Sequence, residues 1–399
     1  MPAPLSSLKI LDFSTLLPGP FATMILADLG ADVLRIESPT RLDLVRMQSP
    51  KVKGNSANHA TINRSKKSIA LNLKHPHAIE IVQKLVKKYD IVLEQFRPGV
   101  MKRLGINYEM LREYNPEIIF CSITGYGQTG PYRDRVGHDL NYLAFSGVSH
   151  YSRRKGESPV PFGIQIADLG GGSYHAVMGI LAAVIHREKT GQGQAIDISM
   201  SDAMLSTNVF EGSNMLSGVD RAQPESTWLN GGSIYDYYKT KDGRWVSVSS
   251  LEPKFFAALL KAMDLPKTLL KTPLDDLEAQ KGIKKILREK FLERNWPEWE
   301  SIFANIDACI ELVLSLSEAL EHEHYKEREM FVEVPDLEGL SQKQIASPFK
   351  FSNCKLNYKH IGVGVGEQTD SELKKLGYNF EEIEKLKKEG VCIDNNTNN

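Results

Sequence analysis

Residues 8–36, LKILDFSTLLPGPFATMILADLGADVLRI, decide the fold. Leu8–Phe13 reads as a buried strand. The Pro18-Gly19-Pro20 turn breaks it, and Phe21–Leu29 has the apolar density of a helix. Gly30 stops that helix, and Asp32–Ile36 is a second apolar strand. Strand, helix and strand within about 30 residues make a βαβ unit, which implies a parallel pair joined by a right-handed crossover.

The alternation continues outward. Ala78–Lys88 is an amphipathic helix, and Ile91–Glu94 and Ile118–Ile123 are strands. This pattern predicts an α/β fold with a doubly wound, Rossmann-like parallel sheet whose ligands bind at the carboxyl ends of the strands. Glu37 at the end of the second strand invites a dinucleotide reading. The first turn, however, carries one glycine between two prolines instead of G-x-G-x-x-G, which argues against NAD or FAD. Gly170-Gly171-Gly172 leads into an apolar helix, Ser173–His186. Gly191–Gln194 is a polar turn before the strand Ala195–Ser199, and Ser201–Leu216 reads as one long helix. Strands at Ser233–Thr240 and Trp245–Ser249 flank the hairpin turn Lys241-Asp242-Gly243. Helical patterns then run from Pro253 to about Phe303, and signals are mixed from Lys326 onward.

A chain of 399 residues is too long for one simple core and calls for two domains, or one large domain with an insertion. The apolar share of 41% suffices to bury a sizeable core. A formal net charge of -1 argues against general nucleic-acid binding, which needs a basic excess. Cys121, Cys309, Cys354 and Cys392 stand far apart with no CxxC or Cys/His spacing, so neither a metal site nor a disulfide framework is expected, and a reducing compartment fits. Asp12 and Asp28 interrupt the N-terminal apolar stretches, so no signal peptide or membrane span is expected there. The final Asn-Asn-Thr-Asn-Asn is no peroxisomal or retention signal. A cytoplasmic location is the expectation.

Several residues are placed for chemistry. Asp168 precedes three glycines and an apolar helix, where Asp often serves simply as a cap. The glycines also allow close approach of a ligand and leave backbone N–H groups at the positive helix end, able to stabilise an enolate or a tetrahedral oxyanion. His138-Asp139 follows Gly137; a lone His is commonly structural, but it is also the usual proton carrier near neutral pH. Asp139 reads as its local structural partner. The loop Gly125-Tyr126-Gly127-Gln128-Thr129-Gly130-Pro131 is of the sort that shapes a site. Glu252-Pro253 reads locally as a helix start. Arg97 and Arg103 follow one strand, and Arg64, Lys66 and Lys67 precede another run. Each cluster is either a solvated face or a phosphate grip.

Taken together, Leu17-Pro18-Gly19-Pro20, Leu29–Val33, Arg97-Pro98-Gly99-Val100, Thr124–Pro131 and Asp168–Ser173 resemble class III CoA-transferase sequences, in the right order across most of residues 5–200. Gly137-His138-Asp139-Leu140-Asn141-Tyr142, Asp168, and Leu251-Glu252-Pro253-Lys254-Phe255-Phe256 resemble the α-methylacyl-CoA racemase branch of that family. Ile306-Asp307-Ala308-Cys309 is similar to a further family segment.

The resemblance implies a large domain built from both chain ends (1–200 and 326–399, the latter including a return linker), a helical linker at 201–228, and a smaller inserted α+β domain at 229–325. It implies an interlocked homodimer, with acyl-CoA as substrate and no cofactor beyond the CoA moiety. His138 and Asp168 become acid/base catalysts, with Glu252 supporting the His from the partner chain. Thr15, Gln95, Phe96, Val100, Arg103, Leu104 and Tyr126 become CoA contacts, and Arg64, from the basic cluster read above, is counted with them as a cofactor-binding candidate. Ser38 departs from the Arg that several relatives use to hold CoA, with Arg41 a possible substitute, and Gly232-Ser233-Ile234-Tyr235 departs from the racemase G-A-P-Y. The implied reaction inverts the α-carbon of a 2-methylacyl-CoA through an enolate, whose oxygen the backbone N–H groups near Asp168 and Leu169 are expected to bind. The alternative is a CoA transferase with Asp168 as nucleophile.

Overall fold

The computed structural model describes residues 3–52 and 55–393, so the terminal asparagine run lies outside it. The described residues fall into two compact units, 3–143 with 163–204 and 326–393, and 144–162 with 205–325.

The first unit is an α/β fold on a mixed, mostly parallel sheet. Its strands are β1 (Lys9–Asp12), β2 (Asp32–Glu37), β3 (Lys67–Leu71), β4 (Ile91–Glu94), β5 (Ile119–Thr124) and β6 (Ala195–Ser199). They run parallel in the order β3-β2-β1-β4-β5-β6, and Cys392–Ile393 adds an antiparallel edge on β3, making seven. A parallel sheet covered on both faces needs apolar residues on both, which is why β4 and β5 are buried throughout. Helix α1 (Pro18–Asp28) is buried nearly all round, with only Phe21 outside that set. In helix α2 (Pro76–Leu85), Ala78, Ile81, Val82 and Leu85 make one apolar face at three- and four-residue spacing and share a cluster with Leu11, Leu34, Ile69 and Val92. Each fully buried aliphatic side chain contributes roughly 1.5–3 kcal/mol.

Strand order reverses between β1 and β4, and in open α/β sheets ligands bind outside the carboxyl ends of the strands at such a point. Short helix α3 (Val100–Leu104) follows β4, helix α4 (Asp139–Phe145) follows the loop after β5, and α5 (His175–Thr190) packs on β5 and β6. The helix expected to begin at Ser173 begins earlier. Ala167–Tyr174 is a π-helical segment that runs directly into α5. Such widened turns recur at functional sites.

In the second unit, Asp236–Lys239, Trp245–Val248 and Ile310–Leu312 form an antiparallel sheet, the first two joined by the expected hairpin turn. Helices Pro253–Ala262, Leu277–Phe291 and Trp296–Phe303 enclose a core in which Phe291 stacks on Tyr238 with ring centroids 5.5 Å apart. The single long helix expected over Ser201–Leu216 is two, Met200–Ser206 and Val209–Leu216. Asn208 causes the break. Its side-chain amide donates to Leu205 O at 2.9 Å, competing with the helical backbone as Asn does.

Candidate active site

Of the residues expected around CoA, Thr15, Gln95, Phe96, Val100, Arg103 and Leu104 follow the carboxyl ends of β1 and β4. Thr15 is exposed just after β1. Gln95 follows β4, and its Oε1 accepts the backbone N–H of Gly19 at 2.9 Å, tying the two strand ends together. A side chain at Gly19 would collide with Ser14, its Cβ standing 2.2 Å from the Ser14 Cβ, so the close approach of these loops requires glycine. Phe96 packs against the main core, and its N–H is held by the Glu94 carboxylate at 2.7 Å. Glu94 itself is buried, which pushes its carboxyl up to about 7. Val100, Arg103 and Leu104 lie on α3, whose cap Gly99 has φ 81.

Sequence reasoning missed Arg133. A Cβ built on Gly99 would stand 3.6 Å from Arg103 Nη1 and 4.0 Å from Arg133 Nη2, so two guanidiniums border one backbone position. Two guanidiniums together suit a phosphate better than one. Their separation in sequence is bridged only by the fold, and no local pattern marks Arg133. Tyr126 stands edge-on between Tyr132 and Tyr142, at centroid distances of 5.7 and 5.4 Å.

Arg64 is a correction. It is 1% exposed, with Nε and Nη2 on the Asp28 carboxylate at 2.8 and 2.6 Å and Nη1 on Ile345 O at 2.7 Å. A guanidinium so enclosed holds the interior together and presents nothing to a phosphate. Its neighbour Lys66 is equally buried, donating to Pro20 O at 2.8 Å and Asn63 Oδ1 at 3.0 Å. Lys67 pairs with Asp32 at 2.8 Å. The Arg64–Lys67 cluster is therefore structural. Ser38 uses its hydroxyl to accept the N–H groups of Thr40 and Arg41 at 3.3 and 3.1 Å, building a turn that leaves Arg41 exposed.

His138 and Asp168 are brought to one place by the residue between them in function. Asp139, the first residue of α4, accepts the backbone N–H of Ala167 at 2.6 Å and of Asp168 at 3.1 Å. Asp168 thus does not cap its own helix; Asp139 caps it from another segment. His138 is exposed, and its backbone N–H donates to Asn141 Oδ1 at 3.0 Å. Tyr142 donates its hydroxyl to Gly137 O and forms the buried wall, close enough to Asp168 that burial and the Asp168 charge both push its phenol up. Burial first, and the Asp139 carboxylate second, push Asp168 up to about 7.

The cap overturns one expectation. The N–H of Asp168 is held by Asp139, and that of Leu169 donates to Gln165 O at 2.9 Å, so neither is offered to an enolate oxygen. Two of the three glycines, Gly171 and Gly172, serve packing. A Cβ on Gly171 would stand 3.0 Å from Met200 O, and one on Gly172 3.0 Å from Pro18 Cβ. Ser173, fully buried, donates to Pro18 O at 2.6 Å and fastens the Asp168 helix to the start of α1.

In the second unit, Glu252 is the N-cap residue of Pro253–Ala262, yet its side chain makes no capping hydrogen bond and is exposed. The helix-start reading accounts for its position and for Pro253, but not for its carboxylate. Cys309 lies close by, its thiol pushed up by burial and by the Glu252 charge.

Residues 5–367 match CoA-transferase family III. The chain is similar to human alpha-methylacyl-CoA racemase, 33% identical over 399 residues covering 98% of each chain. It is also similar to human succinyl-CoA:glutarate CoA-transferase, 37% identical over 305 residues covering 75% of this chain and 69% of that one. Among solved structures it resembles a CAIB/BAIF family protein from Brucella suis, with a TM-score of 0.81 and 26% identity over 94% of this chain and 100% of that one.

Proposed function

From the premise that this chain is an enzyme belonging to CoA-transferase family III, we propose that it inverts the α-carbon of 2-methylacyl-CoA thioesters. The α-proton of a thioester is weakly acidic, so its removal needs a poised base, and inversion needs an acid on the opposite face. His138 serves one face and Asp168 the other, exchanging roles for the two enantiomers. Glu252 is assigned to orienting the imidazole, supplied by the second chain of a homodimer.

The observation that supports this reading best is the juxtaposition of the two groups: Asp139, next to His138, holds the backbone N–H of Asp168 at 3.1 Å, and burial with the Asp139 charge pushes the Asp168 carboxyl up to about 7. At neutral pH such a group is divided between its acid and base forms, which a reversible proton relay requires. CoA transfer with Asp168 as nucleophile stays as the second reading because a relative named for that reaction is 37% identical.

The deciding experiment supplies enantiopure 2-methylacyl-CoA in heavy water. Inversion with deuterium entering the α-carbon, lost on His138→Ala and on Asp168→Asn, is the expected result. Inversion at the parental rate in either variant sinks the assignment. Passage of CoA to an added dicarboxylic acid, without inversion, establishes the second reading instead.

A further inference from the structure

Thr15 is gripped on both sides by one buried ion pair. The carbonyl before it, Ser14 O, accepts from Arg35 Nη2 at 3.4 Å. The amide after it, Leu16 N–H, lies 3.2 Å from each oxygen of the Asp43 carboxylate. Arg35 and Asp43 bond directly to each other, with side chains only 2% and 1% exposed. Both partners are anchored from elsewhere. Arg35 reaches Glu37 Oε1 at 3.2 Å and His59 Nε2 at 3.1 Å, and Asp43 accepts the Val45 N–H at 3.1 Å.

The grip coincides with strain. Leu16 has φ 61, a left-handed conformation that is unfavourable for a residue with a Cβ. A buried ion pair by itself is weak evidence of stability, because desolvation cancels most of the Coulomb attraction. Here the pair holds a strained residue at the point where strand order reverses, and strain of that kind persists where the surroundings over-determine it for function.

We infer that Asp43 is a positioning residue for the CoA thioester: with Arg35 it fixes the left-handed turn at Leu16 and so presents Thr15 to the ligand. Asp43 lies beneath the surface and acts only through the backbone it holds. The inference rests on the family's use of CoA thioesters and not on which reaction follows.

Titration of the full chain with free coenzyme A by calorimetry tests it without turnover. Asp43→Asn keeps the shape and removes the charge. Its CoA affinity is expected to fall about tenfold and the KM for acyl-CoA to rise by about the same factor, with kcat within about threefold of the parent, the signature of lost uniform binding. Adding Leu16→Gly, which adopts the turn without strain, is expected to restore most of the affinity. Leu16→Pro leaves the ion pair intact but removes the N–H and forbids the turn; it is expected to fold and to bind CoA poorly. Unchanged CoA affinity in Asp43→Asn or in Leu16→Pro overturns the inference, as does a loss in Asp43→Asn that glycine at 16 does not relieve. An absence of racemisation in the parent, with these affinity changes present, sinks the proposed reaction and leaves the positioning role standing.

Discussion

The Asp139 carboxylate accepts the backbone N–H of Asp168 at 3.1 Å and of Ala167 at 2.6 Å, so the residue next to His138 caps the helix segment that carries Asp168. One side chain therefore sets both the place of Asp168 and part of its charge environment. Asp139→Asn keeps an acceptor for the two N–H groups and removes the second charge. The Asp168 ionisation in the pH profile of α-proton exchange is expected to move to lower pH, because one of the two causes of its rise is gone. Asp139→Ala is expected to lose the cap as well, costing about 1 kcal/mol of stability, and to lower kcat further than the Asn variant. Profiles that superimpose for parent and Asn variant would show that Asp139 has no electrostatic part.

Asp168 has a stability consequence with a definite sign. Its folded carboxyl titrates near 7 against 3.8 for an unperturbed one, so the native chain holds a proton that the unfolded chain releases. The stability this proton lends is fully present below about 3.8 and is lost as pH rises through about 7. Asp168→Asn removes the penalty. It is expected to be more stable than the parent at pH 8 by on the order of 2–4 kcal/mol, allowing for partial exposure, and equal to it near pH 4. Urea unfolding at the two pH values checks this, and a variant less stable than the parent at pH 8 contradicts it.

What the sequence revealed, and what it hid, follows from the range of the interactions. β1, α1 and β2 were readable because burial on both faces forces runs such as Ile10-Leu11 and Val33-Leu34, and because the proline turn and Gly30 are local signals. Arg64 was misread because a basic residue before an apolar strand looks the same whether it faces water or a buried carboxylate. Asp28, its partner, is 36 positions away. The roles of Asp139 and of the backbone N–H of Asp168 were missed for a like reason. An N-cap is expected from the residue next to the helix, and here it comes from one 29 positions earlier. The break at Asn208 was locally encoded and was overlooked, since Thr207-Asn208 is a poor helical pair.

Glu37 carries an acid-sensitive part of the fold. Burial pushes its carboxyl up, but Arg35 and Arg46, with hydrogen bonds from Arg46 and Ser68, overcome that and hold it at about 2 against an ordinary 4.5. The carboxylate's stabilisation is therefore present above about 4.5 and lost as pH falls toward about 2. The contribution is on the order of 3 kcal/mol. Glu37→Gln is expected to be less stable than the parent at pH 7, with the difference shrinking between pH 4.5 and 2.5 in thermal unfolding. A difference that stays constant over that interval rejects the coupling.

Gly125 controls the wall beside Asp168. A Cβ there would stand 2.4 Å from Tyr142 Cε1, inside any tolerable contact, and Tyr142 is only 5% exposed, so its ring has nowhere to retreat. Gly125→Ala is expected to displace the Tyr142 ring and lower kcat/KM for α-proton exchange by about 100-fold, since small misplacements near a reacting centre cost that much. Pairing it with Tyr142→Phe, which keeps the ring, should not restore activity, whereas Tyr142→Leu should restore part of it. Full activity in Gly125→Ala would mean that the wall is free to move.

The proposed assignment of Glu252 to the imidazole of a second chain is open to a mixing experiment. His138→Ala and Glu252→Gln chains are each expected to be nearly inactive as homodimers. When the two are unfolded together and refolded in equal amounts, half of the dimers are mixed on statistical grounds. In a mixed dimer, one site then combines an intact His138 from the Glu252→Gln chain with an intact Glu252 from the His138→Ala chain. The other site has neither. Activity should return to about a quarter of the parental value if the two residues meet across a twofold dimer. If each site instead draws both residues from one chain, every site lacks one of them and no activity returns. A mixture no more active than its parts, with sedimentation showing that mixed dimers have formed, therefore rejects the cross-chain role while leaving the acid/base roles of His138 and Asp168 to be judged by deuterium exchange.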